Sequence, residues 1–342
     1  MKTTEKQKRV RLEESPYTYV RTRVMRTLLI PRQEYRKLLK MSLPEISHYL
    51  SESGYGKEMN ELGVRFSGIE LIEQALNRNF ANTIEKLKRI SPDSYNEFLD
   101  AYLLKYDIDN LKTIIRGKRA GLPEAEIREL LLPAGKLSAR QLDDLLKQES
   151  AENVLKAAPF PVAVAHREDL SGIETGLDRF LYGELFRFAE RMPRQGALFR
   201  EFLLTIIETI NLVTFLRLKR EKAESKEVEK HLFLVGKDEL FRHLLKAKSH
   251  DEIATTLQKS RYKDLFDGVK PFEGSLIPIE IGLANRTLRK TLLFERQNPL
   301  SVYVILTFLF AKEIEIVNLK RIIKAKHLGM PMERIEQYLV AA

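Results

Sequence analysis

A nine-residue segment recurs three times in this chain, at intervals of about 100 residues. Every copy begins with Asn-Leu, continues to two apolar residues and a cation, and ends in Lys. The copies run from Asn110 to Lys118, from Asn211 to Lys219 and from Asn318 to Lys326. Self-similarity at a regular spacing is the signature of one supersecondary unit used repeatedly, so we expect three similar units.

A second signature alternates with the first and also occurs three times. It consists of Leu-Leu-Lys, a further helical segment, and an aromatic residue five positions after a Leu. Its copies begin at Leu38, Leu145 and Leu244 and end at the aromatic residues Tyr55, Phe160 and Tyr262. Because the two signatures alternate from end to end, the chain begins and ends with an unmatched half of the unit.

An unmatched half-unit exposes an apolar face, which linear repeat arrays cover with a polar cap. The C-terminal half is not polar, since 302–310 is the most apolar helix-forming stretch of the chain. We therefore expect the two halves to complete each other, with residues 1–75 and 277–342 as one unit, 76–175 as the second and 176–276 as the third. The predicted arrangement is closed and pseudo-threefold.

Apolar residues fall at helical spacing through long stretches, which predicts an all-α protein. One such stripe consists of Leu99, Leu103, Tyr106, Asn110 and Ile114. Strand-like alternation is confined to two segments, both bracketed by Pro or Gly and both interpreted as connectors. These segments are Pro161 to Ala165 and Ser275 to Ile281.

Composition limits the compartment and excludes covalent staples. The chain has no cysteine, so disulfides and thiolate metal sites are impossible and a reducing compartment is indicated. The charged N-terminal residues lack the apolar core of a signal peptide, which predicts a cytoplasmic location. The apolar run 300–311 is about half the ~20 residues needed to cross a bilayer, and 202–218 contains charged residues, so both are predicted to be buried helices.

The formal net charge of +10 favours an acidic partner. Cations and anions are intermixed along the chain, which is typical of a solvated helical surface. A helical-repeat protein that binds nucleic acid is the alternative interpretation of the same charge.

No motif for catalysis or metal binding is complete in this sequence, so no catalytic, cofactor-binding or metal-binding residue is predicted. Glu45 and His48 have the Glu-x-x-His spacing of di-iron bundles, but the chain has no second copy of it. His243 and His250 lie two turns apart without a third ligand nearby. The segment 54–57 resembles the end of a phosphate loop, yet Glu58 follows it where Ser or Thr is required.

Polar residues at repeated or clustered positions are the remaining candidates. Asp107 and Asp109 cannot act as a pair, because residues i and i+2 face different sides of a helix. Asn is a modest helix former, so Asn110, Asn211 and Asn318 are predicted to have a structural hydrogen-bonding role, with the polar lining of a central cavity as the alternative.

The basic run near the N-terminus is a candidate for contact with a partner. Arg21, Arg23 and Arg26 follow Tyr17 and Tyr19, as in strips that bind nucleic acid. The spacing of Val20, Val24 and Leu28 instead predicts an amphipathic helix with these three residues toward the core and the arginines exposed.

Several of these residues carry a family resemblance. Tyr17, the three arginines, Leu28-Leu29 and the segment 49–56 together resemble the beginning of the C subunits of A-type and bacterial V/A-type rotary ATPases, which are relatives of the d subunit of eukaryotic V-ATPases. Residues 107–112 resemble the acidic-Asn-Leu segment of that family, and 313–331 resemble its C-terminal helix pair. The resemblance covers residues from about 15 to 340.

The resemblance implies a funnel-shaped, three-part helical protein without a cofactor or active site. Such proteins sit on the cytoplasmic side of the membrane without spanning it, between the proteolipid rotor ring and the central-stalk subunits. The implied function is to transmit torque while ion transport is coupled to ATP synthesis or hydrolysis, with no small-molecule substrate and no nucleic acid. A stiff, well-packed helical body suits that task.

Overall fold

The computed structural model describes residues 9–12, 14–160, 170–236, 238–267 and 269–340, and these ranges contain eighteen α-helices and no β-strand. The helices are α1 (Pro16–Thr27), α2 (Arg32–Lys40), α3 (Leu43–Ser51), α4 (Gly56–Leu62), α5 (Gly68–Arg89), α6 (Asp93–Arg119), α7 (Glu124–Leu130), α8 (Ala139–Leu146), α9 (Ala151–Ala157), α10 (Leu170–Glu190), α11 (Gly196–Arg220), α12 (Ser225–His231), α13 (Glu239–Lys246), α14 (His250–Gln258), α15 (Lys263–Phe266), α16 (Ile277–Gln297), α17 (Tyr303–His327) and α18 (Met332–Glu336). The all-α prediction is confirmed.

The helices follow a repeated order of two long helices and then short ones. The long pairs are α5 with α6, α10 with α11, and α16 with α17, and each recurring Asn lies in the second helix of its pair. Helix α8 packs against α7, and α13 packs against α12. The N-terminal helix α2 packs in the same way against α18, and α3 packs against α17.

Contacts divide the chain into two compact units, one formed by residues 1–22 with 74–200 and the other by 23–73 with 201–342. The first unit has an aromatic core in which the Phe98 and Phe199 rings meet edge to face with centroids 5.0 Å apart. In the second unit, α11 packs Leu212, Phe215 and Leu216 against buried residues of the short helices that follow. The three-unit, pseudo-threefold arrangement stays a prediction.

The second long helix of every pair ends in the same way. The residue eleven positions after the recurring Asn has a positive φ: 68° at Gly121, 61° at Lys222 and 66° at Gly329. The next amide donates back to a carbonyl in the last turn of the helix, as in a Schellman motif, at 2.9–3.0 Å. Lys222 therefore adopts a conformation that costs an L-residue energy and costs glycine almost none.

One predicted connector is wrong. Ser275 and Leu276 precede a helix, but Ile277 to Ile281 form the first turns of α16. Pro278 lies where its missing N–H is not needed, and Glu280 interacts favourably with the helix dipole, so this isoleucine-rich segment starts a helix. The other connector, Pro161 to Ala165, lies outside the described residues.

The predicted orientation of α1 is also wrong. Val20, Val24 and Leu28 are each more than half exposed, whereas Thr18 and Thr22 are buried. Small hydroxyl-bearing residues allow close packing, and the Thr18 hydroxyl donates to the Ile90 carbonyl at 2.9 Å. The buried face of α1 therefore carries Thr18, Thr22 and Met25, and the predicted apolar stripe remains on the surface.

The two apolar runs are buried helical segments, as predicted. Residues 300–311 mostly lie in the first half of α17, and 202–218 lie within α11. Across the described ranges, no helix has both the length and the apolar content required to cross a membrane.

Candidate functional site

Each recurring Asn forms the same pair of hydrogen bonds, which we call an asparagine clasp. The side-chain amide donates to a backbone carbonyl 22 residues later, and its oxygen accepts from the N–H of that same residue. The clasps join Asn110 to Leu132 at 2.7 and 2.8 Å, Asn211 to Phe233 at 2.9 and 2.9 Å, and Asn318 to Val340 at 2.7 and 3.0 Å.

A clasp imitates the paired hydrogen bonds of two backbone segments. It fixes the residues after α7, α12 or α18 to the middle of the preceding long helix. All three Asn side chains are buried, and both polar atoms of each amide bond to the protein itself. This is the geometry that a structural hydrogen-bonding role requires, because both polar atoms of each amide are used within the protein. Asn211 also lines a pocket with Glu208, Phe233 and Asp238, so the structural role and the cavity-lining alternative both stay predictions.

A carboxylate lies three residues before each clasp asparagine, on the same side of the helix. These residues are Asp107, Glu208 and Glu315. Asp107 is fully buried and accepts backbone N–H groups of Lys136 and Leu137 at 2.8 and 3.0 Å. Burial raises the Asp107 pKa, and the two N–H donors oppose that rise. Its neighbour Asp109 is exposed, so the prediction that these two aspartates face different sides is confirmed.

Glu315 belongs to a buried cluster with Tyr55 and Lys312. The Tyr55 hydroxyl donates to Glu315 Oε1 at 2.5 Å, and Lys312 Nζ donates to both at 2.8 Å. The Ile30 N–H also donates to Glu315. Burial raises the pKa of Tyr55 and lowers the pKa of Lys312, while the Glu315 carboxylate raises both. A buried ion pair of this kind is stable only while both members are present.

The second repeat contains a more exposed version of this contact. The Tyr262 hydroxyl donates to Glu208 Oε2 at 2.9 Å, and Arg261 bridges Glu208 and Asp238. Burial, with the nearby Glu208 charge, raises the pKa of Tyr262. The corresponding aromatic residue of the remaining copy is Phe160, which has no hydroxyl, and there the shorter Asp107 uses backbone donors instead.

The arginines of α1 have different surroundings. Arg23 and Arg26 bind the two carboxylate oxygens of Glu295 at 2.9 and 2.6 Å, and that carboxylate is only 3% exposed. Two cations therefore pair with one buried anion, which joins α1 to α16. Arg21 is exposed. The assignment of the three arginines to a partner surface stays a prediction.

Comparison with known proteins identifies the family. The family model for the ATP synthase (C/AC39) subunit matches residues 18–338. The chain belongs to the ATP synthase (C/AC39) subunit family. Among its relatives is the C subunit of the A-type ATP synthase of Methanosarcina barkeri, which is 31% identical over 95% of this chain and 92% of the relative. The corresponding C subunits from Methanococcoides burtonii and Archaeoglobus fulgidus are 33% and 32% identical over 95% of the chain, covering 94% and 95% of their own lengths.

This result confirms the resemblance derived from the sequence. The matched range contains all three clasp asparagines, their carboxylates and the three arginines of α1. The family is therefore established for the part of the chain that carries every candidate residue.

The remaining sequence candidates lie apart in the structure. His48 is exposed and lies 3.4 Å from Glu52, and His250 stacks on the Phe272 ring at 3.8 Å. The loop-like segment 54–57 presents Tyr55 to the Glu315 cluster, and Gly56 begins α4. Among the residues that the structure describes, no group of three or more His, Asp or Glu side chains is placed to hold a metal ion.

Proposed function

We propose that the chain is a non-catalytic coupling subunit of a V/A-type rotary ATPase or ATP synthase. In this proposal it sits on the proteolipid rotor ring at the cytoplasmic side of the cell membrane and binds the central-stalk subunits. Torque then passes through it while ion transport is coupled to ATP synthesis or hydrolysis. The observation that carries the proposal is the family match over residues 18–338.

The repeated clasps support a passive mechanical role. Each one fixes the segment after a short helix to a long helix by two directional hydrogen bonds, and its Asn is buried. Close-packed interiors transmit strain, and buried, satisfied polar contacts add rigidity. A body stiffened at three equivalent positions suits a coupling part, and a closed, funnel-shaped, pseudo-threefold arrangement of three units belongs to the same proposal.

Binding of the purified chain to its partners tests the proposal. The chain is mixed with an isolated rotor ring, or with central-stalk subunits, and complexes are separated by centrifugation or gel filtration. We expect binding to both and no ATP hydrolysis by the chain alone. Binding to neither partner would contradict the proposal.

A matched pair of variants tests whether the α1 arginines face a partner. Arg21→Glu reverses an exposed charge on α1, and Arg140→Glu reverses an exposed charge on α8. We expect only Arg21→Glu to weaken binding, with an effect that shrinks as salt rises. Equal binding by the two variants would remove Arg21 from the partner surface.

The net charge of +10 supports a second candidate, a nucleic-acid-binding protein. Such a protein binds RNA or DNA tightly at low salt, and its affinity falls steeply as salt is added. Our proposal expects no such binding. Tight, steeply salt-dependent binding without affinity for the ring or the stalk would favour the alternative.

A further inference from the structure

A second contact repeats at equivalent positions, and it joins different helices from those of the clasps. The residue six positions after each clasp asparagine is a cation paired with a glutamate in the first two turns of another long helix. The pairs are Arg116 with Glu174 of α10, Arg217 with Glu280 of α16, and Lys324 with Glu73 of α5. Each pair lies within one of the two compact units.

The three pairs have nearly the same environment. The shortest N–O distances are 2.5 Å for Arg116, 2.6 Å for Arg217 and 2.9 Å for Lys324. The cations are 56%, 59% and 56% exposed, and their glutamates are 24%, 26% and 27% exposed. Such similar values at the same position of the three recurring segments indicate one recurring contact.

The direction of these contacts is informative. Arg116 lies on the second long helix of one pair and contacts the first long helix of the next pair along the chain. Arg217 does the same one repeat later. Lys324 lies on the last long helix, α17, and contacts α5, the first long helix of the first pair. All three contacts therefore join the second long helix of one pair to the first long helix of another pair.

We propose that these three ion pairs are a repeated latch, which sets the register of each second long helix against the first long helix that it contacts. The inference deepens the proposed function and rests on it, because long helices held in register stiffen a body that transmits torque. The latches act on register more than on stability, since half-exposed ion pairs contribute little to the free energy of unfolding. Each glutamate near a helix N-terminus and each cation near a C-terminus also complements the helix dipole.

Cross-linking in the isolated chain tests the latch directly. The chain has no cysteine, so the variant Glu73→Cys with Lys324→Cys has only two thiols. A short bis-maleimide is the reagent, because cysteine side chains are shorter than the paired Lys and Glu and a disulfide requires closer Cα atoms. Arg116→Cys with Glu174→Cys is the matched positive control, and Glu73→Cys with Arg217→Cys is the mismatched one.

We expect both matched variants to form a loop-closed product that migrates faster on a denaturing gel, and the mismatched variant to form almost none. Equal yields from the matched Glu73 variant and the mismatched variant would overturn the proposal. These tests need no partner protein, so failure of the chain to bind ring or stalk would count against the proposed function alone.

A charge swap supplies an independent readout. Lys324→Glu places two anions together, and Lys324→Glu with Glu73→Lys restores an opposite-charge pair. We expect the single variant to lower the folding equilibrium constant by about two- to fivefold at low salt, and the swap to restore most of it. An effect that the swap leaves uncorrected, or that 1 M salt does not reduce, would show that the pair is not a latch.

Discussion

The clasp at Asn318 is the most deeply buried of the three, and its removal should lower the free energy of unfolding the most. Asn318 is fully buried and Val340 is nearly so, and their two hydrogen bonds measure 2.7 and 3.0 Å. Replacing Asn318 with Ala removes both bonds and leaves the Val340 N–H and C=O without these partners in a site that excludes water. The change thus removes the amide and leaves buried backbone groups behind.

The magnitude follows from the cost of an unsatisfied buried polar group, which is about 1–3 kcal/mol for each group. Two such groups predict a loss of about 2–6 kcal/mol for Asn318→Ala. At the Asn110 clasp, Leu132 is only half-buried, so water can replace part of what is lost. The loss there equals the net contribution of two hydrogen bonds to stability, so Asn110→Ala should lower the free energy of unfolding by about 1–3 kcal/mol.

Urea unfolding followed by circular dichroism measures both losses. The control is Asn60→Ala on the exposed side of α4, which should change the free energy of unfolding by less than about 0.5 kcal/mol. An unchanged m-value would show that each variant exposes the same surface area on unfolding as the unaltered protein. The reasoning is refuted if Asn318→Ala costs no more than Asn60→Ala, or less than Asn110→Ala.

Three further predictions concern a helix end, a tyrosine and the ion pairs of α1. Lys222→Gly should raise the free energy of unfolding by about 1 kcal/mol because it relieves a positive φ of 61°, while Lys222→Ala should give no gain in the same urea titration. Tyr262→Phe should cost about 1–3 kcal/mol at pH 7 through the lost bond to Glu208. The folded pKa of Tyr262 lies above its unfolded value of 10.0, so the unfolded state loses the proton first as pH rises. The free energy of unfolding of the unaltered protein should therefore fall as pH rises above 10, and that of Tyr262→Phe should fall less between pH 9 and 11. Arg23→Ala with Arg26→Ala should cost about 3–5 kcal/mol because Glu295 is left buried without these two cationic partners, and adding Glu295→Gln should recover more than half in thermal unfolding; no recovery would contradict an electrostatic cause.

Local patterns explain what the sequence predicted well. Helical periodicity and the recurrence of Asn-Leu depend on neighbouring residues. They therefore predict the long helices and the positions of the clasp asparagines from the sequence alone. The hydrogen-bond partner 22 residues later could not be predicted in this way, because nothing in Leu132, Phe233 and Val340 marks these residues as a set.

The carboxylates three residues before each asparagine were a missed signal. Asp107, Glu208 and Glu315 share a position, but Asp is one methylene shorter than Glu, so residue identity alone does not mark the three as equivalent. Their partners lie far along the chain, and Tyr55 is 260 residues from Glu315. Recurrence of an acid at a fixed distance from a repeated residue was the observation that could have found them.

The orientation of α1 shows the limit of periodicity. An apolar stripe identifies a helix face, but it does not say whether that face is covered. The face that packs carries Thr18 and Thr22, and the carboxylate that holds Arg23 and Arg26 comes from Glu295, about 270 residues later. Only the folded chain brings these groups together.

ATP-driven ion transport tests the central claim most directly. A rotary ATPase purified without this chain is reconstituted into vesicles, and ATP hydrolysis and ion uptake are measured before and after the chain is added back. We predict that hydrolysis proceeds in both cases and that ion uptake appears only when the chain is present. Full ion uptake without the chain would contradict a role in coupling the rotor ring to the central stalk.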